Sequence, residues 1–388
     1  MFMFEKQYEL AVCGGGVAGV AAALAAARRG VKCALIEKTI QPGGLATGGL
    51  VLVYLPLCDG KGKQVTYGVS EELLQASIKY GPADVGKWQS VPGTRYRTFF
   101  SPAAFVLAMD ELLVNAGVDI WYDTVITGVE RRQRRLEAVN VFNKSGHGRL
   151  FADNFIDATG DSDVAFMADL PCLSDTNAMV TWAIEYNAVA PEIRYCYGGN
   201  TGIKVVSQPL SSRSTEAGIN GKLVSGFALA SRKSYLDDLK NDFSSGEADR
   251  HSRFPLSLPS VVPLRHTRCI EGRTVLQPGR ENIPCSDSIG LAADWRCAGK
   301  VWEIPWSTML PADVDNLIAA GRCSSASGDA WEITRVIPAA AMTGEVAGIA
   351  AATAMKHSTV PGELKYSLLT EALQCGRTFP LKLAEAGL

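Results

Sequence analysis

Three glycines and one acid near the start of the chain have the residue types and spacing that bind the phosphates and ribose of a dinucleotide. Gly14, Gly16 and Gly19 fit the pattern G-x-G-x-x-G, and Glu37 follows eighteen residues after Gly19. Gly14 allows a tight turn, Gly16 leaves room for a pyrophosphate against the backbone, and Gly19 lets a helix pack closely on a strand. A carboxylate at Glu37 would accept hydrogen bonds from ribose hydroxyls and would repel a 2′-phosphate, which disfavours NADP.

A second set of residues, later in the chain, could bind an anion and move a proton. Arg265, His266 and Arg268 lie within the segment LRHTR. The arginines suit an anionic group, and an imidazole titrates near neutral pH, so His266 could act as an acid or a base. The alternative is a polar strand edge whose charges pair with Glu271 or with aspartates. The sequence leaves both interpretations open.

The stretches around the glycines have the pattern that a dinucleotide site requires. Residues 8–13 are an apolar run that predicts a strand buried on both faces. The alanine-rich residues 17–29 predict a helix that stops at Gly30, and residues 32–36 predict a second strand. A strand–helix–strand unit that carries glycines only for packing is the alternative. The order of strand, glycines, helix, strand and acid favours the dinucleotide.

Composition and charge argue against several other classes of protein. With 38 basic and 40 acidic residues, the net charge is −2, which disfavours nucleic acid or an anionic membrane surface as the main partner. Apolar runs are interrupted before about 18 residues, so we expect no membrane span, and the first residues lack the basic region of a signal peptide. The ten cysteines form no CxxC and no metal-ligand spacing with the four histidines. We therefore expect free thiols, no metal site and a cytoplasmic location.

Three further stretches could approach a bound dinucleotide closely, and with them the chain resembles a known family. Residues 39–49 form a Gly-rich loop, residues 155–161 a strand ending in Ala-Thr-Gly, and residues 315–322 a strand ending in glycine before a Pro-initiated helix. The combination resembles the FAD-dependent oxidoreductases with an FAD domain of the glutathione-reductase type. It is most similar to a bacterial group distantly related to the fumarate reductase and succinate dehydrogenase flavoproteins. The matching stretches are GGGVAGVAAALAAARRG…LIEK, QPGGLATGG, DATGD, LRHTRCIEG, IPWSTMLPADVDNLIAAGRCSSASG and TRVIPAAAMTGEVAGIAAA.

The resemblance implies which residues lie along the FAD. It places the pyrophosphate at the first glycines, the adenosine ribose at Glu37 and the adenine at the backbone of Val125. It also points the N–H groups at the start of the helix at 338–344 towards the pyrimidine edge of the flavin. The full set is Gly14, Gly16, Val17, Ala18, Gly19, Glu37, Lys38, Gly43, Gly44, Leu45, Thr47, Val125, Ala158, Thr159, Gly160, Asp161, Gly321, Arg322, Pro338 and Met342.

The resemblance also places candidate catalytic residues. It puts residues 264–268 against the flavin–substrate region, and Arg335 between two stretches that contact the flavin. The catalytic candidates are therefore Arg335, His266 and Arg265, with Glu332 a weaker candidate for a base. Trp302 and Trp306 could form a wall beside the flavin or could be structural.

Two features of the sequence differ from those of related flavoproteins and restrict the kind of FAD enzyme that we expect. Residues 39–53 contain no His, Cys or Tyr, so we expect FAD to be bound non-covalently. A second G-x-G-x-x-G with its strand and acid is missing, which indicates that there is no dedicated NAD(P)H domain. Without a CxxC motif, disulfide reduction is also disfavoured.

The predicted fold class is α/β, with a Rossmann-like, three-layer, parallel-sheet FAD-binding domain and an inserted mixed α+β substrate or cap domain. The predicted FAD domain is discontinuous and comprises residues 1–60, 97–170 and 300–356. The inserted cap comprises residues 61–96 and 171–299. Residues 357–388 form a helical appendage. We expect a hairpin turn at the RRQRR run, a strand at 180–186 that covers the flavin, and surface loops at 201–220 and 244–253.

The expected function is transfer of hydride or electrons between non-covalent FAD and a small organic substrate, for which an anion is one option. A flavoprotein with a non-redox, isomerase-like or lyase-like use of FAD is an alternative. A flavin-dependent RNA-modifying enzyme is another, although the balanced charge counts against it. A homo-oligomer is left open.

Overall fold

The computed structural model describes residues 2–81, 97–176, 180–189, 203–209, 218–375 and 379–388, so parts of the predicted cap lie outside the described residues. The strands of this described chain are β1 (Phe4–Cys13), β2 (Cys33–Ile36), β3 (Val53–Tyr54), β4 (Thr98–Phe99), β5 (Asp119–Trp121), β6 (Val125–Arg132), β7 (Arg135–Asn143), β8 (Gly146–Asp157), β9 (Cys172–Ser174), β10 (Val180–Asn187), β11 (Ile203–Pro209), β12 (Arg253–Ser257), β13 (Arg268–Ile270), β14 (Ser288–Ala293), β15 (Val301–Pro305) and β16 (Leu317–Ala319). Its α-helices are α1 (Val17–Ala27), α2 (Val69–Lys79), α3 (Pro102–Asn115), α4 (Asp163–Met167), α5 (Gly221–Ser245), α6 (Gly328–Thr334), α7 (Ile337–Lys356) and α8 (Tyr366–Gln374).

The largest sheet has five parallel strands in the order β5-β2-β1-β8-β16. At the end of β1, Cys13 pairs with Ile36 of β2 and with Asp157 of β8. Asp157 pairs in turn with Ala319 of β16. Because these residues are the last of their strands, four neighbouring strands finish in register at one edge. The antiparallel strands β6 and β7 pair beside the N-terminal part of β8.

Alternate side chains of β1 belong to two different hydrophobic cores. Leu10 and Val12 are buried with the apolar residues of α1, α3 and α7. Ala11 and Cys13 are buried with residues of β7, β8 and α4. Side chains alternate between the faces of a strand, so β1 is covered on both sides, as its apolar run predicts. The resulting layers of helices, parallel sheet and antiparallel strands confirm the predicted α/β, Rossmann-like fold class.

Helices α1 and α7 pack with their backbones in contact. A Cβ on Gly344 would lie 2.1 Å from the carbonyl oxygen of Ala18, and one on Gly348 would lie 2.2 Å from that of Ala22. Both distances are too short for any side chain. The small residues of the two helices therefore bring α7 against α1, and the N-termini of both helices lie near the same edge of the sheet.

The described part of the inserted region contains an antiparallel sheet in the order β11-β10-β12, with α5 packed against it. Tyr235 of α5 donates its hydroxyl to Glu185 Oε2 of β10 at 2.7 Å, and Arg253 Nε donates to the same oxygen at 3.2 Å. The strand predicted at 180–186 is confirmed as β10. The interpretation of 201–220 and 244–253 as loops was wrong in part, because β11 crosses the first range and α5 continues to Ser245 in the second.

The RRQRR run forms the turn between β6 and β7, which confirms the predicted hairpin. Arg134 in this turn forms an ion pair with Asp315 at 2.6 Å. In the last segment, Leu369 and Leu373 of α8 are buried in the same core as α1 and α7. The domain boundaries themselves stay predictions.

Within the part of the chain that the structure describes, one helix has the length and composition of a membrane span. This is α7, whose apolar window is completely buried inside the protein, mainly against α1. A buried core helix has the same composition, so the finding is weak evidence for a span.

Because Gly344 of α7 lies against α1 and Gly226 of α5 has open space beside it, adding a methyl group should have opposite effects on stability at these two mid-helix glycines. Gly344→Ala should lower the free energy of unfolding by about 1–3 kcal/mol, because its Cβ meets backbone. Gly226→Ala in α5 is the matched control, since a Cβ there meets nothing within 4 Å. It should raise stability by up to about 1 kcal/mol through helix propensity. Chemical denaturation of both variants measures the difference, and a neutral Gly344→Ala would contradict the packing.

Candidate functional site

The predicted cofactor residues converge where the parallel strands end. Ala158 N donates to the carbonyl oxygen of Cys13 at 2.8 Å, and Ala320 N donates to that of Asp157 at 2.9 Å. Ligands of open α/β sheets bind outside the carboxyl ends of the strands. We refer to the backbone assembled here, formed by Gly14, Gly16, Gly43, Gly44, Gly160 and Gly321, as the glycine edge.

Gly14 and Gly19 are glycines for structural reasons. Gly14 has φ +102°, and a Cβ on it would lie 2.5 Å from the carbonyl oxygen of Ala158. A Cβ on Gly19 would lie 1.8 Å from the carbonyl oxygen of Gly14. These two positions therefore bring β1, β8 and α1 together, whatever ligand binds beside them.

Gly16 differs from Gly14 and Gly19, because nothing in the protein itself requires a glycine at this position. Its φ of −63° and ψ of 175° suit any residue, and the nearest atom to a Cβ would be the carbonyl oxygen of Ala158 at 3.9 Å. Gly16 is the N-cap of α1, which has no side-chain cap and no acid in its first turn. A helix N-terminus with open space beside a glycine is the arrangement that accepts a pyrophosphate, so the residues present fit FAD.

The Gly-rich loop at residues 39–49, which we call the second glycine loop, lies directly against the first glycine loop at residues 14–16. Gly43 N donates to the carbonyl oxygen of Gly15 at 2.7 Å, and Gly16 and Gly43 form a parallel bridge. A Cβ on Gly44 would lie 3.1 Å from Gly16 Cα. The Thr47 hydroxyl donates to the carbonyl oxygen of Pro42 at 2.6 Å, so it holds the loop together from within.

The carboxylate of Glu37 lies beside the glycine loop, as a ribose-binding acid should. It is buried, and Oε2 accepts from Gly15 N at 2.7 Å while Oε1 accepts from Thr39 N at 2.8 Å. Thr124 N donates to the carbonyl oxygen of Glu37 at 3.1 Å, which puts the following residue, Val125, nearby. Val125 is exposed, as is Lys38.

The residues after β8 and β16 form a connected polar group. Arg322 Nε donates to the carbonyl oxygen of Gly160 at 2.5 Å, and its Nη2 donates to Asp161 Oδ1 at 2.7 Å. Gly160 has φ +81°, and a Cβ there would lie 2.8 Å from Arg322 Nη2. The predicted residues Thr159, Gly160, Asp161 and Arg322 are therefore neighbours.

The start of α7 reaches the same edge through Gly321, whose N–H donates to Thr343 Oγ1 at 2.9 Å. The other predicted residues of α7 have structural contacts. The carbonyl oxygen of Pro338 accepts from Ser70 Oγ at 2.9 Å. A Cβ on Gly290 would lie 2.5 Å from Met342 Sδ, so Met342 packs towards β14.

His266 is held between two acceptors. Its Nδ1 lies 3.2 Å from the carbonyl oxygen of Thr176, and its Nε2 lies 2.9 Å from Glu332 Oε1. The ring is buried and stacks on Trp331, with centroids 4.9 Å apart and an interplanar angle of 16°. Trp331 Nε1 donates to the carbonyl oxygen of Arg322 at 3.1 Å. The imidazole is thus fixed in position and orientation.

Arg335 and Glu332 form an ion pair one turn apart at the end of α6. Burial alone would raise the pKa of Glu332, but the hydrogen bond with His266 and the charge of Arg335 lower it to about 2. Burial lowers the pKa of Arg335, and Glu332 opposes this shift. Arg335 Nε is buried without a hydrogen-bond partner among the described residues. Glu332 is therefore ionised, and the Nε–H of Arg335 is a hydrogen-bond donor that no described residue uses.

Arg265 joins the same group, whereas Arg268 does not. Burial, together with the like charges of Arg335 and Arg322, lowers the pKa of Arg265 to about 9. Arg268 Nη2 binds Asp163 Oδ1 at 2.7 Å, and its guanidinium lies over the ring of Phe166. Arg268 therefore matches the alternative interpretation of this segment, a polar strand edge whose charges pair with aspartates. We refer to Arg265, His266, Arg322, Glu332 and Arg335 as the charged cluster.

Sequence reasoning missed two residues that hold this cluster in place. Trp331 supplies the stacking surface for His266, and Thr267 Oγ1 donates to Asp161 Oδ1 at 2.7 Å. The available signal was the spacing of Trp331, Glu332 and Arg335 on one helical turn. Trp302 lies in the hydrophobic core with Nε1 3.4 Å from Asp294 Oδ2, which agrees with the structural interpretation.

A search of curated proteins found no match to the sequence. The sequence model of the family described as FAD dependent oxidoreductase matches residues 9–182 and 290–373, which is more than half of the chain. The chain belongs to this family. The matched segments contain the glycine edge, so FAD is the cofactor and the protein is an oxidoreductase.

Solved structures share the fold over most of the chain at low sequence identity. A geranylgeranyl bacteriochlorophyll reductase-like protein from Thermoplasma acidophilum matches with a TM-score of 0.55 and 15% identity, over 96% of this chain and 83% of that one. The anhydrotetracycline hydroxylase OxyS from Streptomyces rimosus gives 0.51 and 11%, over 98% and 69%. The myxobacterial chondrochloren halogenase CndH, an FAD-dependent halogenase, gives 0.51 and 14%, over 95% and 78%. These identities show the shared fold alone.

The geometry of Gly16 predicts a variant that loses FAD without losing the fold. Gly16→Ala should lower the stability of the apoprotein by no more than about 1 kcal/mol, the cost of alanine at an N-cap, because its Cβ meets no protein atom closer than 3.9 Å. It should weaken FAD binding by about tenfold or more, or roughly 1.4 kcal/mol, measured by quenching of flavin fluorescence. Gly14→Ala is the comparison, since it should destabilise the apoprotein itself. Unchanged FAD affinity in Gly16→Ala would contradict the assigned cradle.

The lowered pKa of Glu332 predicts an acid-dependent contribution to stability. A carboxyl whose pKa falls from about 4.3 when unfolded to about 2 when folded stabilises the protein fully above about pH 5. The contribution, about 3 kcal/mol, is lost as the pH falls towards 2. Glu332→Gln should therefore be less stable than the parent at pH 7, and the difference should shrink in acid. Exposed Glu271→Gln is the control, and a difference that does not change with pH would contradict the assignment.

Proposed function

We propose that this oxidoreductase moves a hydride or electrons between non-covalently bound FAD and a small organic molecule located beside the charged cluster. The observation that carries the proposal is a shared oxygen. Asp161 Oδ1 accepts from Thr267 Oγ1 and from Arg322 Nη2, both at 2.7 Å. Asp161 lies just beyond β8, and Thr267 is the neighbour of His266. Titratable groups and predicted cofactor residues are therefore fixed to one another.

FAD, when bound, supplies the hydride or electron transfer, so the protein has to hold the cofactor, orient the substrate and handle a proton. The N–H groups at Gly16, at Gly44 and at the start of α1 would hold the pyrophosphate, and Glu37 would bind the ribose. Residues 39–53 contain no His, Cys or Tyr that could form a covalent link. This composition supports non-covalent binding.

His266 and Glu332 are suited to handle the proton. A neutral imidazole has one N–H donor, so it satisfies only one of the two acceptors that face His266. The protonated ring satisfies both the carbonyl of Thr176 and the carboxylate of Glu332. Glu332 Oε1 lies 2.9 Å from Nε2 and Trp331 stacks on the ring, so the two side chains hold the imidazole in place. We propose His266 and Glu332 as the proton-handling pair, since Nε2 faces the Glu332 carboxylate.

A cleft lined by residues 258–263 together with side chains of β10 and α5 supports a small organic substrate. Aromatic and aliphatic side chains predominate in its lining, among them Trp182, Phe227, Leu258 and Pro263. Ser260, also in the lining, donates its N–H to the carbonyl oxygen of Gly48, in the second glycine loop, at 2.8 Å. One wall of the cleft is thus attached to the cofactor loop.

The proposal includes an FAD domain of the glutathione-reductase type and a cytoplasmic location. The strand order β5-β2-β1-β8-β16, with antiparallel strands beside β8, supports the first. The nine cysteines among the described residues are free thiols, which supports a reducing compartment.

The experiment combines flavin spectroscopy with a matched pair of histidine variants. The purified protein should bind FAD, and heat denaturation should release all of it into solution. Anaerobic mixing with a panel of small alcohols, amines and hydroxy acids should identify a compound that bleaches the flavin absorbance. His266→Gln should keep FAD and its reduction by dithionite but slow substrate bleaching by about 10²–10⁴-fold and shift its pH profile. Exposed His251→Gln should match the parent protein.

Two results would overturn the proposal. Turnover of a substrate without any change in flavin absorbance would indicate a non-redox use of FAD. Equal bleaching rates and pH profiles for His266→Gln and the parent would remove His266 from the proton-handling role.

A further inference from the structure

The cleft formed by α5, β10 and residues 258–263 has a single charged side chain among the described residues that line it. This side chain is Arg232 of α5. The rest of this described lining is apolar or aromatic, apart from the hydroxyl groups of Ser231, Tyr235 and Ser260, and it includes no carboxylate. In a pocket of mainly apolar surface, the few placed polar groups fix the orientation of the ligand. Arg232 is therefore the group that would orient a charged ligand in this cleft.

Arg232 forms no ion pair within the described part of the chain, unlike two other cations of this region. Lys233 pairs with Asp237 at 2.5 Å, and Arg253 pairs with Glu185 at 3.2 Å. On a helix, a cation pairs with an acid that lies three or four residues away. For Arg232 those positions are occupied by apolar and aromatic residues, namely Ala228, Leu229, Tyr235 and Leu236. Its guanidinium therefore has no carboxylate partner on its own helix.

The helix that carries Arg232 is held in place against β10. Tyr235, one turn later in α5, donates its hydroxyl to the buried Glu185 at 2.7 Å. Tyr235 and Leu239 are also buried with Ala183 of β10 in a small hydrophobic core of their own. Arg232 itself is exposed. The charge is thus carried by a fixed helix at a solvent-exposed position of the cleft.

Another wall of the cleft packs on the second glycine loop. Ser260 N and Val261 N both donate to the carbonyl oxygen of Gly48, at 2.8 Å and 3.1 Å. A Cβ on Gly48 would lie 3.0 Å from Ser260 Oγ and from Val261 Cγ2. A solute in the cleft would therefore contact both α5 and a wall that is attached to the loop of Gly43 and Gly44.

We propose that Arg232 binds the carboxylate of an amphiphilic organic acid whose apolar part is covered by the lining of the cleft. The inference rests on the proposed function, because it names the class of substrate for the same site. A guanidinium fork matches the two oxygens of a carboxylate. One guanidinium balances one negative charge, which favours a carboxylate over a phosphate dianion. Because Arg232 is exposed and the lining is apolar, the carboxylate keeps contact with water while the apolar part is desolvated.

The test uses the FAD-loaded protein and four related probes. Hydrocinnamate carries a ring and a carboxylate, propanoate lacks the ring, phenylpropanol lacks the charge, and phenylpropylamine reverses it. Each probe is titrated at constant ionic strength while the melting temperature is followed. Hydrocinnamate should raise the melting temperature saturably, and each of the other three should bind at least about fivefold more weakly. Added salt should weaken the binding of hydrocinnamate more than that of phenylpropanol.

Arg232→Met and Lys240→Met form the matched pair of variants. Lys240 is an exposed cation on the same helix and does not line the cleft. Methionine is a good helix former, so both variants should fold and bind FAD as the parent does. Arg232→Met should weaken hydrocinnamate binding about fivefold or more and remove its salt dependence, whereas Lys240→Met should change neither. Arg232→Glu should reverse the preference, so that phenylpropylamine binds more tightly than hydrocinnamate.

The outcomes separate this inference from the proposed function. The inference would be overturned if hydrocinnamate failed to bind the parent, or bound Arg232→Met as tightly as the parent. Equal affinities of the parent for hydrocinnamate and phenylpropylamine would overturn it as well. Loss of FAD from Arg232→Met would also do so, because Arg232 would then hold the cofactor. If instead no compound bleaches the flavin of the parent, the proposed function fails while charge-dependent binding at Arg232 stands.

Discussion

The site depends on backbone approaching backbone at the carboxyl edge of the parallel sheet. At Gly14, Gly19 and Gly344, a single added carbon would lie within 1.8–2.5 Å of a carbonyl oxygen from another element. These contacts bring α1, α7, β1 and β8 to one edge and leave helix N–H groups facing outward. Gly16 lies among them with space beside it. The same close packing that stabilises the fold therefore creates a place for a diphosphate.

Polar contacts join the inserted region to this edge. Residues 258–268 follow the second glycine loop through Gly48 and reach the end of β8 through Asp161. The cleft lies on one side of this segment, and the charged cluster lies at its end. One short stretch of chain thus lines the cleft, contacts the second glycine loop and carries His266. A shift of this stretch would change all three together.

Much of the FAD-binding fold could be predicted from the sequence because its signals are local. The run ending at Cys13, the alanines of α1 and the spacing to Glu37 all lie within about 40 residues, in keeping with the size of a strand–helix–strand unit. The long α5 was not predicted, because its serines and glycines resemble a loop and its helix is stabilised by packing on β10. The meeting of His266 with Glu332 was not predictable either. It depends on how β13 pairs with β9 and where α6 ends, which no local pattern encodes.

The contrast between Arg265 and Arg268 shows what decides the role of a charged residue. Arg268 begins β13, pairs with Ser174 and turns towards Asp163, where it has a carboxylate partner. Three residues earlier, the chain is not yet in a strand, and burial together with the charges of Arg335 and Arg322 lowers the pKa of Arg265. A cation in such surroundings costs stability, and natural proteins accept that cost mainly where function requires it. Part of this cost falls on α6, whose residues Ala330, Trp331 and Ile333 belong to the same hydrophobic core as α1 and α7.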